Sequence, residues 1–272
     1  MGQELFSVDS KVVVVTGGLG QLGSQFARTL LQRGAAVAAL DLPERTSDAH
    51  AVLGEWMQSD RLACVEADVT SRSSLEAALV QVEEKLGTPE GLITTAAIDS
   101  PPGGSTDDNP PFERFPESAW QLVMDVNVKG VLLSCQVFGG AMAAAGRGSI
   151  INISSIYGLV SPDQRVYEYR RRRGEDFYKP VAYSVSKSAL LNLTRYLATY
   201  WAGRGVRVNT LTFGGVFNGQ DDEFVAEYIA RVPMGRMARP DEYNGAIVFL
   251  LSDASSYMTG SNTVIDGGWT SW

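Results

Sequence analysis

The sequence predicts an α/β protein built on a doubly wound parallel sheet with helices on both faces. Three observations carry the prediction. Short, solidly apolar runs alternate with segments of helical periodicity along the whole chain of 272 residues. The runs lack the in–out alternation of a half-solvated strand, so each reads as buried on both faces and paired in parallel through right-handed crossovers. A glycine-rich turn, Gly17 to Gly23, joins the first run to the first helix, beside the carboxyl ends of the strands where such sheets receive a ligand. No repeat, low-complexity tract or linker interrupts the pattern, and residues 1–272 read as one domain.

The elements follow in order. Residues 11–16 (KVVVVT) form the first strand; residues 21–33 form a helix with Leu22, Phe26, Leu30 and Leu31 at helical spacing, ended by Gly34. A second strand at 36–41 (AVAALD) leads through a polar, helix-like segment at 45–58 to a third strand at 62–66. A helix at 72–86, a strand at 91–95, a long helix at 117–144 and a strand at 148–154 come next. The chain closes with a helix at 181–202, a strand at 206–212, helices near 221–231 and 240–252, and a last strand at 263–265. Function should therefore reside in the loops at 17–23, 41–46, 68–70, 96–116, 155–180 and 213–220.

Composition removes several function classes. Hydrophobic residues at 44% and charged residues at 20% describe a folded soluble chain rather than a disordered one. A formal charge of −8 argues against nucleic acid or an anionic membrane as a partner. His50 is the single histidine, and without a GxSxG turn it cannot serve a Ser-His-Asp hydrolase. Nor can it build a zinc site with Cys64 and Cys135, which stand far apart with no CxxC, so no metal is expected. No apolar run approaches about 18 residues and the segment MGQELFSVDS does not look like a secretion signal. The expected address is the cytoplasm, with both cysteines reduced in the core.

The turn after the first strand spaces Gly17, Gly20 and Gly23 as GxxGxxG, with Gln21 and Leu22 opening the helix. Glycines there let the backbone approach a pyrophosphate, whose charge meets free N–H groups at the helix start. No GK[ST] follows, which excludes a phosphate loop of the Walker kind. Asp41 closes the second strand, where a carboxylate accepts both ribose hydroxyls of NAD and repels the 2′-phosphate of NADP. With no basic residue inside the glycine turn, NAD is the expected cofactor.

Tyr183 and Lys187 share one face of a predicted helix at i, i+4 spacing. An ammonium beside a phenol favours the phenolate and so prepares an acid/base for an alcohol or a carbonyl. With the glycine turn, Asp68-Val69, Asn127, Asn152-Ile-Ser-Ser155, Val206-Arg-Val-Asn209, Thr259-Gly260 and Asp266-Gly267-Gly268, this pair makes the chain resemble the short-chain dehydrogenase/reductase family over essentially its whole length. The resemblance implies a Rossmann-type sheet of seven strands in the order 3-2-1-4-5-6-7 and a Ser-Tyr-Lys-Asn tetrad. On that pattern Tyr183 carries the proton and Ser155 binds the substrate oxygen. Lys187 holds the nicotinamide ribose and acidifies the tyrosine, and Asn127 supports a water relay. Asp68 and Val69 would contact the adenine.

The family pattern is not matched throughout. Thr95-Ala96-Ala97-Ile98 replaces the usual Asn-Asn-Ala-Gly, leaving Ala96 and Ala97 as the cofactor contacts there. Phe213-Gly214 replaces Pro-Gly, so that Gly214, Val216 and Asn218 take the nicotinamide positions. Ser155 and Tyr183 also stand farther apart than is usual, which marks an insertion at about 161–180.

That insertion carries Arg165 and the run Arg170 to Arg173. Tyr157, Arg165, Tyr167 and Arg170 are the candidate substrate residues, the guanidinium groups as clamps for a carboxylate or phosphate and the tyrosines as stacking platforms. The other reading is a charged lid whose arginines pair with Glu168, Glu175, Asp176 or a neighbouring subunit. A second mouth loop, residues 99–116, is long and rich in Pro and Gly. The expected activity is NAD-dependent interconversion of a secondary alcohol and a ketone on a polar, acidic or sugar-like small molecule, and a finer similarity points to oxidoreductases of bacterial surface-sugar (flagellin-glycan) synthesis. The alternatives are a nucleotide-sugar epimerase or dehydratase and a non-catalytic NAD sensor. Apolar positions Trp120, Tyr196, Tyr200 and Trp201, together with Trp269 and Trp272, suggest a homodimer or homotetramer, or else intramolecular core.

Overall fold

Seven apolar runs pair in parallel as β1 (Val12–Thr16), β2 (Ala36–Asp41), β3 (Leu62–Glu66), β4 (Gly91–Thr94), β5 (Gly148–Ser155), β6 (Val206–Phe213) and β7 (Asn262–Ile265). Their order across the sheet is β3-β2-β1-β4-β5-β6-β7, as the family resemblance implies. The computed structural model describes residues 5–99 and 109–272; most of the expected mouth loop at 99–116 lies outside them. The helices are α1 (Gln21–Gln32), α2 (Arg72–Leu86), α3 (Glu117–Ala145), α4 (Glu168–Arg172), α5 (Val181–Trp201), α6 (Asp222–Ile229) and α7 (Asn244–Leu251).

Period-two geometry sends successive strand residues to opposite faces, and both faces are covered. Val12 and Val14 of β1 pack with Leu75 and Val82 of α2, Phe138 and Met142 of α3, and Leu190 and Leu197 of α5. Val13 and Val15 pack on the other face with Phe26, Leu30 and Leu31 of α1 and Ile247 and Leu251 of α7. A strand wetted on one side would alternate apolar with polar; the central strands do not because neither side meets water, while the edge strands β3 and β7 are only partly buried.

Two expected helices differ from the pattern. The segment at 45–58 breaks into Pro43–Thr46, Ala49–Leu53 and a 3-10 turn at Gly54–Gln58: Pro43 starts the first piece, and Gly54, at φ +57°, ends the second. Helix α3 widens into π turns at Asp125–Lys129 and Cys135–Gly139, the first of which contains Asn127. Although its apolar run is longer than expected and suffices by length to cross a membrane, half of that window is buried inside the protein. Its apolarity serves the core.

The candidate interface aromatics divide. Trp201 and Trp269 are core residues, the first against the bare backbone of Gly139 and the second stacked 4.4 Å from Tyr228. Trp120 is half-buried, while Tyr196, Tyr200 and Trp272 are exposed. Cys135 is buried, Cys64 is half-buried, and neither forms a disulfide.

Candidate active site

The strand order reverses at β1, which has β2 on one side and β4 on the other, and the crevice opens above the carboxyl ends of β1 and β4. The glycine turn is fitted to this place. Gly17 has φ +63°, and a Cβ on it would lie 2.8 Å from the Ala96 backbone; a Cβ on Gly23 would lie 2.1 Å from the Gly17 carbonyl oxygen. Only glycine satisfies both contacts. The Gly20 N–H donates to the Gly17 carbonyl at 3.0 Å, and Gln21 and Leu22 start α1 with N–H groups that have no preceding turn to bond.

Asp41 stands at the end of β2, its two carboxylate oxygens accepting from the Leu19 and Leu42 N–H groups, each at 3.0 Å. Arg45, which the sequence reading passed over, donates to the Leu19 carbonyl at 3.2 Å and brings a basic group close to the glycine turn. One oxygen of Asp68 caps its own turn, taking the Thr70 N–H at 2.8 Å and hydroxyl at 2.7 Å. Val69 packs on Gly130, where a Cβ would come within 2.8 Å of it. Across the crevice the Gln21 side-chain amide reaches the Phe217 carbonyl at 3.0 Å and ties the glycine turn to the loop after β6.

A cleft of about 310 Å³ continues from this crevice, and into it the structure brings Leu22, Ala97, Gly214, Val216 and Asn218 together with Ser155, Tyr157, Tyr167, Tyr183 and Lys187. Helix α5 is fixed to the sheet below by a buried polar ladder. Thr194 receives a hydrogen bond from the Asn152 amide at 2.9 Å and lies 2.8 Å from the Thr210 hydroxyl. Ser154 and Ser155 have separate tasks: the Ser154 hydroxyl donates to the Lys187 carbonyl at 2.8 Å, whereas the Ser155 hydroxyl faces the Tyr183 phenol. The Lys187 ammonium lies 6.0 Å from the centre of the Tyr183 ring and donates to the Ile153 carbonyl at 3.0 Å.

Asn127 is fully buried beside the cleft rather than in its lining. Its oxygen accepts from the Ile98 N–H at 2.7 Å, and its amide donates to the Ile98 carbonyl at 2.9 Å and to the Ser186 hydroxyl at 3.0 Å. The π turn carries this side chain inward, so that it clamps the loop after β4 to helix α5.

The electrostatics of the cofactor-free chain are set mainly by burial. Burial pushes the Tyr183 phenol well above its ordinary value, with the Asp99 carboxylate adding to the effect and the Ser155 hydroxyl partly offsetting it. Lys187 is itself pushed down to about 8 by burial, against the opposing pull of Asp99. A desolvated ammonium is a weak counter-charge for a desolvated phenolate, so the chain alone holds Tyr183 as a neutral phenol.

The insertion also departs from the role given to its arginines. A 3-10 turn at Gln164–Tyr167 followed by α4 packs its aromatic side chains inward, with Tyr167 5.2 Å from Phe177 and 5.7 Å from Phe224. Arg165 is turned to Asp163, at 2.8 and 2.9 Å, outside the cleft lining. Arg170 is buried, pairs with Glu175 and lies 4.0 Å over the Phe177 ring. Arg171 pairs with Glu168, Arg173 with Glu223, and Asp176 takes Arg114. The physical reason is local: Arg165, Arg170, Arg171 and Arg173 find carboxylates a few residues away or across the α6 contact before they can reach the mouth, and the pairs with Glu168 and Glu175 are those of the charged-lid reading.

The basic group that does reach the cleft is Lys179, buried, ion-paired with Asp99 and held 4.5 Å over the Tyr183 ring. The sequence held no helical signal for it, since Lys179 precedes Pro180, the N-cap of α5, and the i, i+4 rule that joins Tyr183 to Lys187 does not extend there.

Comparison with known proteins finds relatives over nearly the whole chain. A family model described as enoyl-(acyl carrier protein) reductase matches residues 20–270. Cis-4-hydroxycyclohexanecarboxylate dehydrogenase of Sinomonas cyclohexanicum is 33% identical over 264 residues, covering 96% of either chain. D-threitol dehydrogenase of Mycolicibacterium smegmatis is 33% identical over 97% of this chain and 95% of its own. A solved short-chain dehydrogenase from Leptospira borgpetersenii with bound NAD+ is 32% identical, superposes with a TM-score of 0.83, and is matched over 99% of this chain and 96% of that one.

Proposed function

This chain belongs to the short-chain dehydrogenase/reductase family, and from that premise we propose that it is an NAD-dependent oxidoreductase that interconverts a secondary alcohol and a ketone on a polar small molecule. The observation that carries the reading is the convergence of Ser155, Tyr183 and Lys187 in a cleft continuous with the glycine crevice.

The crevice fits a nicotinamide dinucleotide: the space beside Gly17 and Gly23 has no room for a side chain, and helix N–H groups stand at its edge. Gly17, Gly20, Gln21 and Leu22 would hold the pyrophosphate, Asp41 the adenosine ribose, and Asp68 and Val69 the adenine. Ala96, Ala97, Lys187, Gly214, Val216 and Asn218 would surround the nicotinamide half. Asp41 supports NAD over NADP through charge repulsion of a 2′-phosphate. When bound, the dinucleotide supplies the acceptor or donor of hydride.

The chain supplies the rest. Ser155 donates to the substrate oxygen and Tyr183 exchanges the proton at that oxygen. A burial-raised phenol is protonated at neutral pH and so is ready to give its proton to a ketone; in the oxidation it must first lose that proton. Asn127 acts through the Ile98 backbone and Ser186, keeping the loop after β4 and helix α5 in register. We place the enzyme in a reducing, cytoplasmic setting that suits its free cysteines, as an oligomer joined through the exposed Tyr196 and Tyr200.

The test follows reduced nicotinamide by its near-ultraviolet absorbance while a panel of polyols and the matching ketoses is offered with NAD or NADP. Turnover with NAD that Asp41→Ala shifts toward NADP is the expected result. NADH binding without turnover of any alcohol or ketone would refute the enzymatic reading and leave a sensor.

A further inference from the structure

Among the described residues, the charged side chains that line the cleft are Asp99, Lys179 and Lys187. Lys187 is engaged below the reacting tyrosine with the Ile153 carbonyl. The other two form a pair at the mouth. The Lys179 side chain is 5% exposed, and its ammonium lies between two aromatic faces, 4.5 Å from the Tyr183 ring centre and 5.9 Å from that of Tyr157. Its carboxylate partner Asp99 is 45% exposed and contributes to the cleft lining. No arginine lines the cleft among the described residues, and Arg165, Arg171, Arg170 and Arg173 of the insertion are paired with Asp163, Glu168, Glu175 and Glu223.

Resting on the dehydrogenase reading above, we propose that the Asp99–Lys179 pair selects the substrate: it reads the hydroxyl next to the reacting carbinol of an uncharged polyol and disfavours the corresponding carboxylate. The argument is one of charge and reach. A substrate oxygen bound by Ser155 and Tyr183 places the next carbon of the chain close to the ammonium that covers the Tyr183 ring. A hydroxyl on that carbon can accept from Lys179 and donate to Asp99, satisfying both without disturbing the pair. A carboxylate in the same place can accept from Lys179 but meets Asp99 as a like charge. It must displace Asp99 or forgo the ammonium, and in a partly desolvated site either outcome is unfavourable. The remaining polar lining (Gln21, Thr95, Asn218 and Gln220) is neutral and suits further hydroxyl groups.

The experiment compares kcat/KM for three substrates at saturating NAD: an alditol, the aldonate of the same carbon skeleton, and 2-butanol as the reference for the shared chemistry. The wild type should favour the alditol over the aldonate by about tenfold or more, the worth of one charge-assisted hydrogen bond. Asp99→Asn keeps the shape and removes the competing charge, and should lower that ratio by about tenfold. Lys179→Met should lower the alditol rate relative to 2-butanol by a similar factor. Ratios between substrates cancel any effect of these variants on hydride or proton transfer. Should either variant fail to fold, as judged by melting temperature and NADH binding, Asp99→Ser and Lys179→Gln replace them.

A wild type that prefers the aldonate, or a ratio that Asp99→Asn leaves unchanged, overturns the proposal while turnover of 2-butanol keeps the dehydrogenase reading intact. Loss of turnover on all three substrates in the wild type overturns both.

Discussion

Replacing Lys187 by methionine should stabilise the protein near neutral pH while removing its activity, and the stabilisation should reverse in alkali. The folded value of the lysine, about 8, lies below its unfolded value of 10.5. Below pH 8 both states hold the proton, and the folded state bears the full cost of a buried ammonium. Between pH 8 and 10.5 the unfolded chain holds a proton that the folded chain has shed, so stability rises with pH through that window. Each pH unit of the window is a factor of ten in the folding equilibrium, and the whole amounts to about 3 kcal/mol. Methionine keeps the length and removes the charge, but it leaves the Ile153 carbonyl without its donor, a loss of about 1–2 kcal/mol. The variant should thus be more stable than wild type by about 1–2 kcal/mol at pH 7, and less stable by about 1 kcal/mol at pH 10.5, where only the lost hydrogen bond remains. Urea unfolding of the cofactor-free proteins at equal concentration and at both pH values measures the difference. A variant less stable at pH 7, or a difference that does not change with pH, refutes the reasoning.

Tyr183→Phe should lower kcat by about 10²–10⁴-fold with NADH binding kept. An ultraviolet difference titration of the cofactor-free wild type against that variant should show no phenolate from Tyr183 at neutral pH, because burial raises its value. Gly23→Ala drives a Cβ to 2.1 Å from the Gly17 carbonyl oxygen, backbone that cannot step aside. It should weaken NADH binding, measured by fluorescence, by about tenfold or more and cost about 1–3 kcal/mol of stability. Arg170→Ala strands the Glu175 carboxylate and uncovers the Phe177 ring, so unfolding should show a loss of about 3 kcal/mol. KM for a neutral alcohol should stay nearly constant, since that guanidinium lies outside the cleft.

Much of the fold was legible because its central strands are buried on both faces, which leaves an unbroken apolar run such as Val12–Val15 followed by the glycine turn at Gly17 to Gly23. Legibility failed where local chemistry overrode a period, at Gly54 within the segment 45–58 and at the π turns of α3. The candidate catalytic face was readable because Tyr183 and Lys187 lie on one helix, where spacing alone brings side chains together. Asp99 and Lys179 meet only through the tertiary fold, from a loop after β4 and from the chain entering α5, and no period links them. The arginines of the insertion were legible as far as their type allows: of the clamp and the charged lid, the structure bears out the lid, with Arg170 on Glu175, Arg171 on Glu168, Arg165 on Asp163 and Arg173 on Glu223 once the turn at Gln164–Tyr167 is folded.

The two buried amines beside Tyr183 show why position counts for more than proximity. Lys179 stands nearer the ring, at 4.5 Å against 6.0 Å for Lys187, yet it faces a carboxylate and so brings little net field to the phenol. Lys187 has only the Ile153 carbonyl among its hydrogen-bonded partners shown here, and its charge is correspondingly easy to lose. A phenol set between a neutralised cation and a labile one is not acidic by itself. Its proton becomes mobile only when further positive charge enters the crevice or when alkali takes it. On the proposed reading the positive nicotinamide ring would supply that charge, so that cofactor occupancy and proton transfer would be coupled through the field at one oxygen atom.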